Sequence, residues 1–489
     1  MFRSGLLVMI ITMVSRVLGL VRATIIAYYF GASGATDAYF SAFKISNFFR
    51  QLLGEGALGS SFIPLYNEKI EIEGEEKGKE FIYSILNLIF VFSTIVTLLM
   101  IIFSQDIINL IVNGFPTETK ILASQLLKIM SVYFIFISLS GMICAMLNNF
   151  KQFAIPASTS IFFNLAIILA SMGFSKTFGI SALAYGVVLG GAFQLLIVLP
   201  SFFKIVKGYS FKINWKDPYL KKIFILMCPM LVGIVARQVN TIVDQVFASY
   251  LQEGGVTALE NATRLYLLPV GVFGVSISTV IFPVLSKAVA RNDLKTAENN
   301  IVKGLNILLF LIIPSTAVLT FYSTDVIRLT LSYGKFGEEA VKVTSEALLY
   351  YSLGLYFYTA IYLMTRAFYS VKNSSYPVRF SIVSIIINIV LNFALIKPMA
   401  YRGLALSTSI ASGVNFVLLV YVFRKKYMEF PLKRSLIFFG KVILTTAVAL
   451  GASYYVHNTI IKLVVFSAVY MVFWAKSLIK NKMDRKWRK

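Results

Sequence analysis

Apolar stretches long enough to cross a bilayer recur along the whole of this 489-residue chain, and few architectures tolerate that. A transmembrane helix needs about 20 mostly apolar residues, because each residue advances about 1.5 Å through a hydrocarbon core about 30 Å thick. Hydrophobic residues make up 58% of the sequence and charged residues 14%, whereas a soluble domain carries about a quarter charge. The chain therefore reads as an all-α polytopic membrane protein. A β-barrel would show short alternating segments instead.

Hydropathy suggests fourteen spans, at 5–30, 37–66, 82–112, 124–149, 155–175, 179–203, 223–251, 262–287, 304–332, 343–370, 377–396, 402–423, 435–456 and 460–479. The first run continues past Arg16 and Arg22 without a cleavage-site pattern, so it reads as a span and not a removable signal. An even number of spans puts both termini on one side. Links 67–81, 204–222, 288–303 and 424–434 and the tail are rich in Lys and Arg, while 31–36 and 252–261 have none. The positive-inside rule then predicts that both termini are cytoplasmic. The formal net charge of +24 is concentrated beside apolar segments, which fits anionic lipid headgroups and argues against nucleic acid.

The sequence also echoes itself. Arg16, Ala27 and Tyr29 meet Arg237, Ala248 and Tyr250 at a displacement of 221. Ala42 and Lys44 meet Ala262 and Arg264 at 220, and Phe-Ile-Pro at 62–64 resembles Ile-Phe-Pro at 281–283. A duplicated six-span unit predicts two parallel-related lobes around a central cavity. The expected organisation is a six-helix lobe over 1–203, a basic cytoplasmic linker over 204–222, a second six-helix lobe over 223–424, and helices 13 and 14 with a basic tail over 425–489.

Several ionised residues lie inside these spans, where charge is costly and persists mainly toward a bundle interior or a hydrated cavity. Arg16 and Arg22 stand on span 1, about 9 Å apart along the helix axis. Span 2 carries Asp37, Lys44 and Arg50, followed by Glu55. Asp37 shares a face with Lys44 and either pairs with it or caps a helix start, and Glu55 is placed to satisfy an arginine. The second unit carries Arg237, Asp244 and Arg264. Arg264 precedes Pro269, Gly271 and Gly274, which permit a bent or broken helix, as do Gly54, Gly56, Gly59 and Pro64 in span 2.

A mostly cationic cavity suits an anionic substrate, and the fixed fork of arginine suits phosphate. Arg22, Arg50 and Arg264 are the first candidates to hold a pyrophosphate, with Arg16 and Arg237 behind them. Asn388, Asn392 and Thr408, together with Asp244, either supply oxygens to Na⁺ as a coupling ion or bond helices to one another. Arg366 lines the second lobe or makes a structural pair. Cys144 and Cys228 lie in apolar segments and read as small core residues, and the single His457 makes no metal centre. No nucleotide-binding loop, acyl-transfer triad or zinc-protease element is evident, so no catalytic residue and no organic cofactor is expected.

The segments from Ser15 to Arg22, from Phe30 to Asn47 and from Glu55 to Pro64 resemble the bacterial MurJ/MviN lipid II flippase family. The likeness extends to Arg264, to Gly271 through Pro283 and to Arg366 through Tyr369. It implies a fold of the multidrug/oligosaccharidyl-lipid/polysaccharide exporter class, in the bacterial inner membrane. It also implies transfer of lipid II, an undecaprenyl-pyrophosphate-linked peptidoglycan precursor, from inner to outer leaflet by alternating access, with the protein acting as a monomer. By resemblance Arg16, Arg22, Arg50 and Arg264 line the cavity, Asp244, Asn388, Asn392 and Thr408 stand at a sodium site, and the last two spans accommodate the polyprenyl tail. Ala23, Gln51 and Leu267 replace charged residues common in the family. A flippase for another polyprenyl-linked glycan is the alternative, and a drug exporter fits a cationic cavity less well.

Overall fold

The computed structural model describes residues 2–53 and 57–486, and among these every regular element is helical. Ten helices are long and apolar enough to cross a membrane. An eleventh span arises if Glu338–Leu353 and Leu355–Ser370, bent by 44° at Gly354, are taken together. The bend has a packing cause. A Cβ on Gly354 would stand 2.5 Å from the Ser409 Cα, so only glycine lets the backbones approach, and the Gly354 N–H is shared between Ser409 Oγ at 3.1 Å and the Tyr351 carbonyl at 3.2 Å.

The other three expected spans also fall on helices. They are Gly34–Leu53 with Ala57–Glu73, then Pro218–Ala248, and then Thr459–Lys486. The first two carry Asp37, Lys44, Arg50, Arg237 and Asp244, and the third has only a short apolar helix, Thr459–Ala475. Fourteen spans thus requires reading charged and short helices as crossing, which length and hydropathy alone do not give.

The chain divides into two units. The first comprises Met1–Thr257 and Leu331–Ala340, and the second Ala258–Thr330 and Val341–Lys489. The core of the first joins Phe62, Phe81, Met142, Met146 and Phe202 to Tyr219 and Met227. We label its opening helices α1 (Phe2–Phe30), α2 (Gly34–Leu53), α3 (Ala57–Glu73) and α4 (Glu75–Ile102). Residues 81–87 of α4 are buried, whereas Phe90, Phe92, Ile95 and Ile102 are exposed, so the second half presents an apolar face suited to lipid.

The irregular segment after helix Ser181–Ile205 is strapped to the buried half of α4. Tyr83 Oη donates to the Lys207 carbonyl at 2.6 Å, and Asn87 Nδ2 donates to the Ser210 and Lys212 carbonyls at 2.9 and 3.1 Å. The strap ends at Asp217, which caps helix Pro218–Ala248 by accepting from the Tyr219 N–H at 3.0 Å. The same buried carboxylate meets Lys69 Nζ at 2.9 Å. Nearby, Lys222 donates to Glu68 at 3.0 Å, which holds the Glu68 carboxyl below its ordinary value.

In the second unit, the two C-terminal helices dock on Leu294–Phe321 through Ala317, Tyr322, Ala449, Phe466 and Tyr470. Tyr470 Oη donates to the Phe310 carbonyl at 2.7 Å, and Trp474 Nε1 to Thr445 Oγ1 at 3.1 Å. Lys462 meets Asp325 at 2.5 Å. Each tie satisfies a polar group within an otherwise apolar bundle.

Candidate functional site

Two close-packed helices create the platform for Arg22. Ala154–Phe178 and Ser181–Ile205 meet where Gly186 and Gly190, four residues apart, leave room for the opposite backbone. A Cβ on Gly190 would lie 2.7 Å from Phe163 Cδ2, so the glycine fixes where that ring sits. The Arg22 guanidinium stands 5.6 Å from the Phe163 ring centroid, within cation–π reach. Phe163 also stacks on Phe43 at 6.3 Å, and Asn164 Nδ2 donates to the Ser15 carbonyl at 3.3 Å. The ring and the amide pin α1 to this helix at the level of the arginines.

Arg50 addresses the same helix. Its Nε donates to Asn47 Oδ1 at 2.5 Å, and the residue lines a cavity of about 370 Å³ with Thr159 and Ser160. Ser160 precedes Phe163 by three residues, about 5 Å of helix rise. Arg22 thus lies against this helix at Phe163, and Arg50 lines a cavity to which the same helix contributes Thr159 and Ser160. Guanidinium groups of this kind suit phosphate oxygens.

Arg264 lies in the second unit, where its Nε is 3.3 Å from Glu260 Oε1, one helical turn earlier. Helix Gly255–Pro269 gives way to a π segment, Val270–Gly274, whose Val275 N–H donates to the Val270 carbonyl five residues back. Pro269 lacks an N–H, and a widened turn absorbs the irregularity. The expected break is thus a π segment within a continuing helix. Tyr266 packs beneath it, with ring centroids 5.6 Å from both Tyr351 and Tyr358.

Among the described residues, the Asp37 side chain bonds across to Gly254 and Thr257 and not to Lys44 or its own helix start. Its buried carboxylate accepts from the Gly254 N–H at 2.7 Å, the Thr257 N–H at 2.8 Å and Thr257 Oγ1 at 2.6 Å. It thereby caps helix Gly255–Pro269. Glu253 answers by accepting from the Gly34 N–H at the start of α2, at 2.6 Å. Gly34 and Gly254 are 220 residues apart, the displacement of the internal echo.

Lys44 lines a smaller, mainly apolar cavity with Ile107, Ile242 and Gln245. Arg16 is exposed on α1, and Arg366 sits 5.4 Å from the Phe282 ring centroid. Gln51 accepts a hydrogen bond from Gln238, Ala23 is buried and Leu267 is exposed. Glu55 and the side chain of Arg237 lie outside the described residues.

Asn388 Nδ2 donates to Thr408 Oγ1 at 3.4 Å, and Asn392 Nδ2 to Asn388 Oδ1 at 3.2 Å, with both asparagines buried. These three residues form one cluster of neutral side-chain oxygens, a donor set that fits a hard monovalent cation. Asp244 stands on helix Pro218–Ala248 in the first unit, where it accepts from Asn240 at 3.1 Å. Phe163, Gln194, Asn148 and Glu260 join these sites without having been expected. Only Glu260 carried a sequence signal, a carboxylate four residues before an arginine.

A family model described as lipid II flippase MurJ matches residues 26–474. The chain is 37% identical over 449 residues to the "Probable lipid II flippase MurJ" of Buchnera aphidicola subsp. Acyrthosiphon pisum, covering 90% of this chain and 87% of that protein. It is 33% identical over 463 residues to the similarly named protein of Vibrio cholerae, covering 92% and 88%. A solved structure titled "Lipid II flippase MurJ, inward closed conformation" superposes with a TM-score of 0.83 at 32% identity, covering 98% of this chain and 99% of that one. An inward-facing multidrug-resistance MATE transporter of the MOP superfamily superposes with a TM-score of 0.73 over 86% of this chain and 97% of that one, at 14% identity, and shares the fold alone.

Proposed function

The chain belongs to the lipid II flippase MurJ family, and from that premise we propose that it moves lipid II from the inner to the outer leaflet of the bacterial inner membrane, with both termini cytoplasmic. It is a multi-span membrane transporter that makes and breaks no covalent bond. One observation carries the reading: Arg22 lies against Phe163 of helix Ala154–Phe178, and Arg50 lines a partly polar cavity to which Thr159 and Ser160 of the same helix contribute. Pyrophosphate bridges such a pair, because two guanidinium forks match its oxygens and a single cation does not. Arg264 is the next candidate for a phosphate contact, with Arg16 and Arg237 behind it.

All fourteen spans cross in this reading, the charged ones facing the hydrated interior, and the two parallel lobes alternate in access. Closure on one side draws on the reciprocal caps formed by Asp37 and Glu253. Asn388, Asn392 and Thr408 would hold Na⁺, with Asp244 the candidate carboxylate for the same role, and the bound charge would bias the resting state. The helices over 425–489 shelter the polyprenyl tail, and the protein works as a monomer without nucleic acid.

The deciding measurement is leaflet transfer of labelled lipid II in vesicles, beside another undecaprenyl-pyrophosphate glycan. Arg22→Ala and Arg50→Ala are each expected to lower transfer by about a hundredfold, the loss typical of a charge-assisted phosphate contact worth 2–3 kcal/mol. Normal transfer by both variants would remove the arginine pair from the mechanism. Transfer of the other glycan but not of lipid II would reassign the substrate.

A further inference from the structure

The cavity beside Arg50 is larger than a phosphate needs and falls within the range of about 300–1,000 Å³ typical of small-molecule sites. Apart from Arg50, its polar lining is neutral. Ser140, Cys144 and Asn148 project at four-residue spacing from one face of helix Tyr133–Asn149, Thr159 and Ser160 come from Ala154–Phe178, and Gln194 comes from Ser181–Ile205.

Gln194 is the distinguishing feature. Its residue is 94% buried, being 6% exposed, yet its Oε1 has no hydrogen-bond partner among the described residues. Buried side-chain carbonyls are ordinarily satisfied, so an orphan lining a polar cavity marks a place for a donor. The Ser140 hydroxyl is committed to the Gln194 carbonyl at 3.2 Å and the Thr159 hydroxyl to the Pro156 carbonyl at 2.8 Å, which leaves their lone pairs as acceptors. A second anion would meet these acceptors unfavourably. Neutral hydroxyl and amide groups would pair with them.

We propose that this cavity is a carbohydrate subsite that receives the sugar ring attached to the pyrophosphate, with Gln194 accepting from a ring hydroxyl or amide and Asn148 and Ser160 completing the contact. The inference rests on the lipid II reading, since covalent attachment to a phosphate held at Arg50 is what brings the ring into the cavity. It explains why one charged residue stands at the edge of an otherwise neutral polar pocket.

Cys144 offers a direct probe, because it lines the cavity and the chain has only one other cysteine, Cys228. The Cys228→Ser protein, held in nanodiscs, would be alkylated with N-ethylmaleimide in the presence of lipid II or of undecaprenyl pyrophosphate, which has the same tail and phosphates but no sugar. With lipid II at about ten times its Kd, alkylation of Cys144 should slow about tenfold, since only the unoccupied fraction reacts. Undecaprenyl pyrophosphate, bound to the same extent by native mass spectrometry, should leave the rate nearly unchanged. Adding Gln194→Leu should weaken lipid II binding while leaving undecaprenyl pyrophosphate binding intact. Equal protection by both lipids, or no protection while lipid II is bound, overturns the subsite and spares the flippase reading. Failure of the unsubstituted protein to bind lipid II overturns both.

Discussion

Arg22 and Arg264 are both intramembrane arginines, but their supports differ in kind. Arg22 rests on the face of Phe163, whose position is fixed by Gly190 across a close helix contact. Arg264 is tied to the Glu260 carboxylate and is followed within two turns by a π segment. An aromatic face holds a guanidinium through its π electrons, whereas a carboxylate within reach competes with an incoming anion. The first unit therefore sets its arginine beside a ring, and the second sets its arginine beside a carboxylate.

Of the changes that test this comparison, the one with the largest expected effect lies on the aromatic side. In Gly190→Ala the new methyl meets Phe163 at 2.7 Å and pushes the ring from under Arg22. We expect lipid II transfer to fall about tenfold, the consequence of an ångström-scale displacement of a binding group. An unchanged rate would show that the ring does not set the arginine. A smaller effect, of opposite sign, tests the carboxylate side. Glu260→Gln removes the competing charge and should tighten binding of undecaprenyl pyrophosphate about threefold, in keeping with a partly exposed ion pair worth under 1 kcal/mol. Weaker binding would show that Glu260 positions Arg264 more than it competes.

The smallest effect concerns how firmly the first unit holds the start of helix Pro218–Ala248. The hydrogen bond from Lys222 lowers the pKa of Glu68, so this pair contributes above the ordinary glutamate value and is lost as pH falls through the lowered one. Amide exchange at residues 217–222 should quicken slightly over that acidic window, and Glu68→Gln should abolish the pH dependence. Both changes are expected to be slight, because Glu68 is exposed to solvent screening. A pH dependence that survives Glu68→Gln would place the titrating group elsewhere.

Much of this was legible in the sequence for identifiable reasons. Apolar run length gave the membrane class, since hydrocarbon thickness leaves little choice, and the Pro269, Gly271 and Gly274 series marked where the π segment falls. The Gly186 and Gly190 spacing and the Glu260–Arg264 pair were also visible as local patterns, though neither was read. Phe163 and Gln194 were not visible. Each sits in an apolar helix among many similar residues, and its role follows from what a second helix brings beside it. The partner of Asp37 was hidden for a related reason: Gly254 lies 217 residues away, and a carboxylate near a helix start ordinarily caps its own helix.

The reciprocal caps have a consequence of their own. Asp37 holds the N–H groups of Gly254 and Thr257, while Glu253 holds that of Gly34, so each helix start lends a carboxylate to the other. The two carboxylates are separate fastenings, so either can release its donors while the other still holds, and full parting must find new partners for every group involved. A junction tied twice in this way survives the loss of one tie.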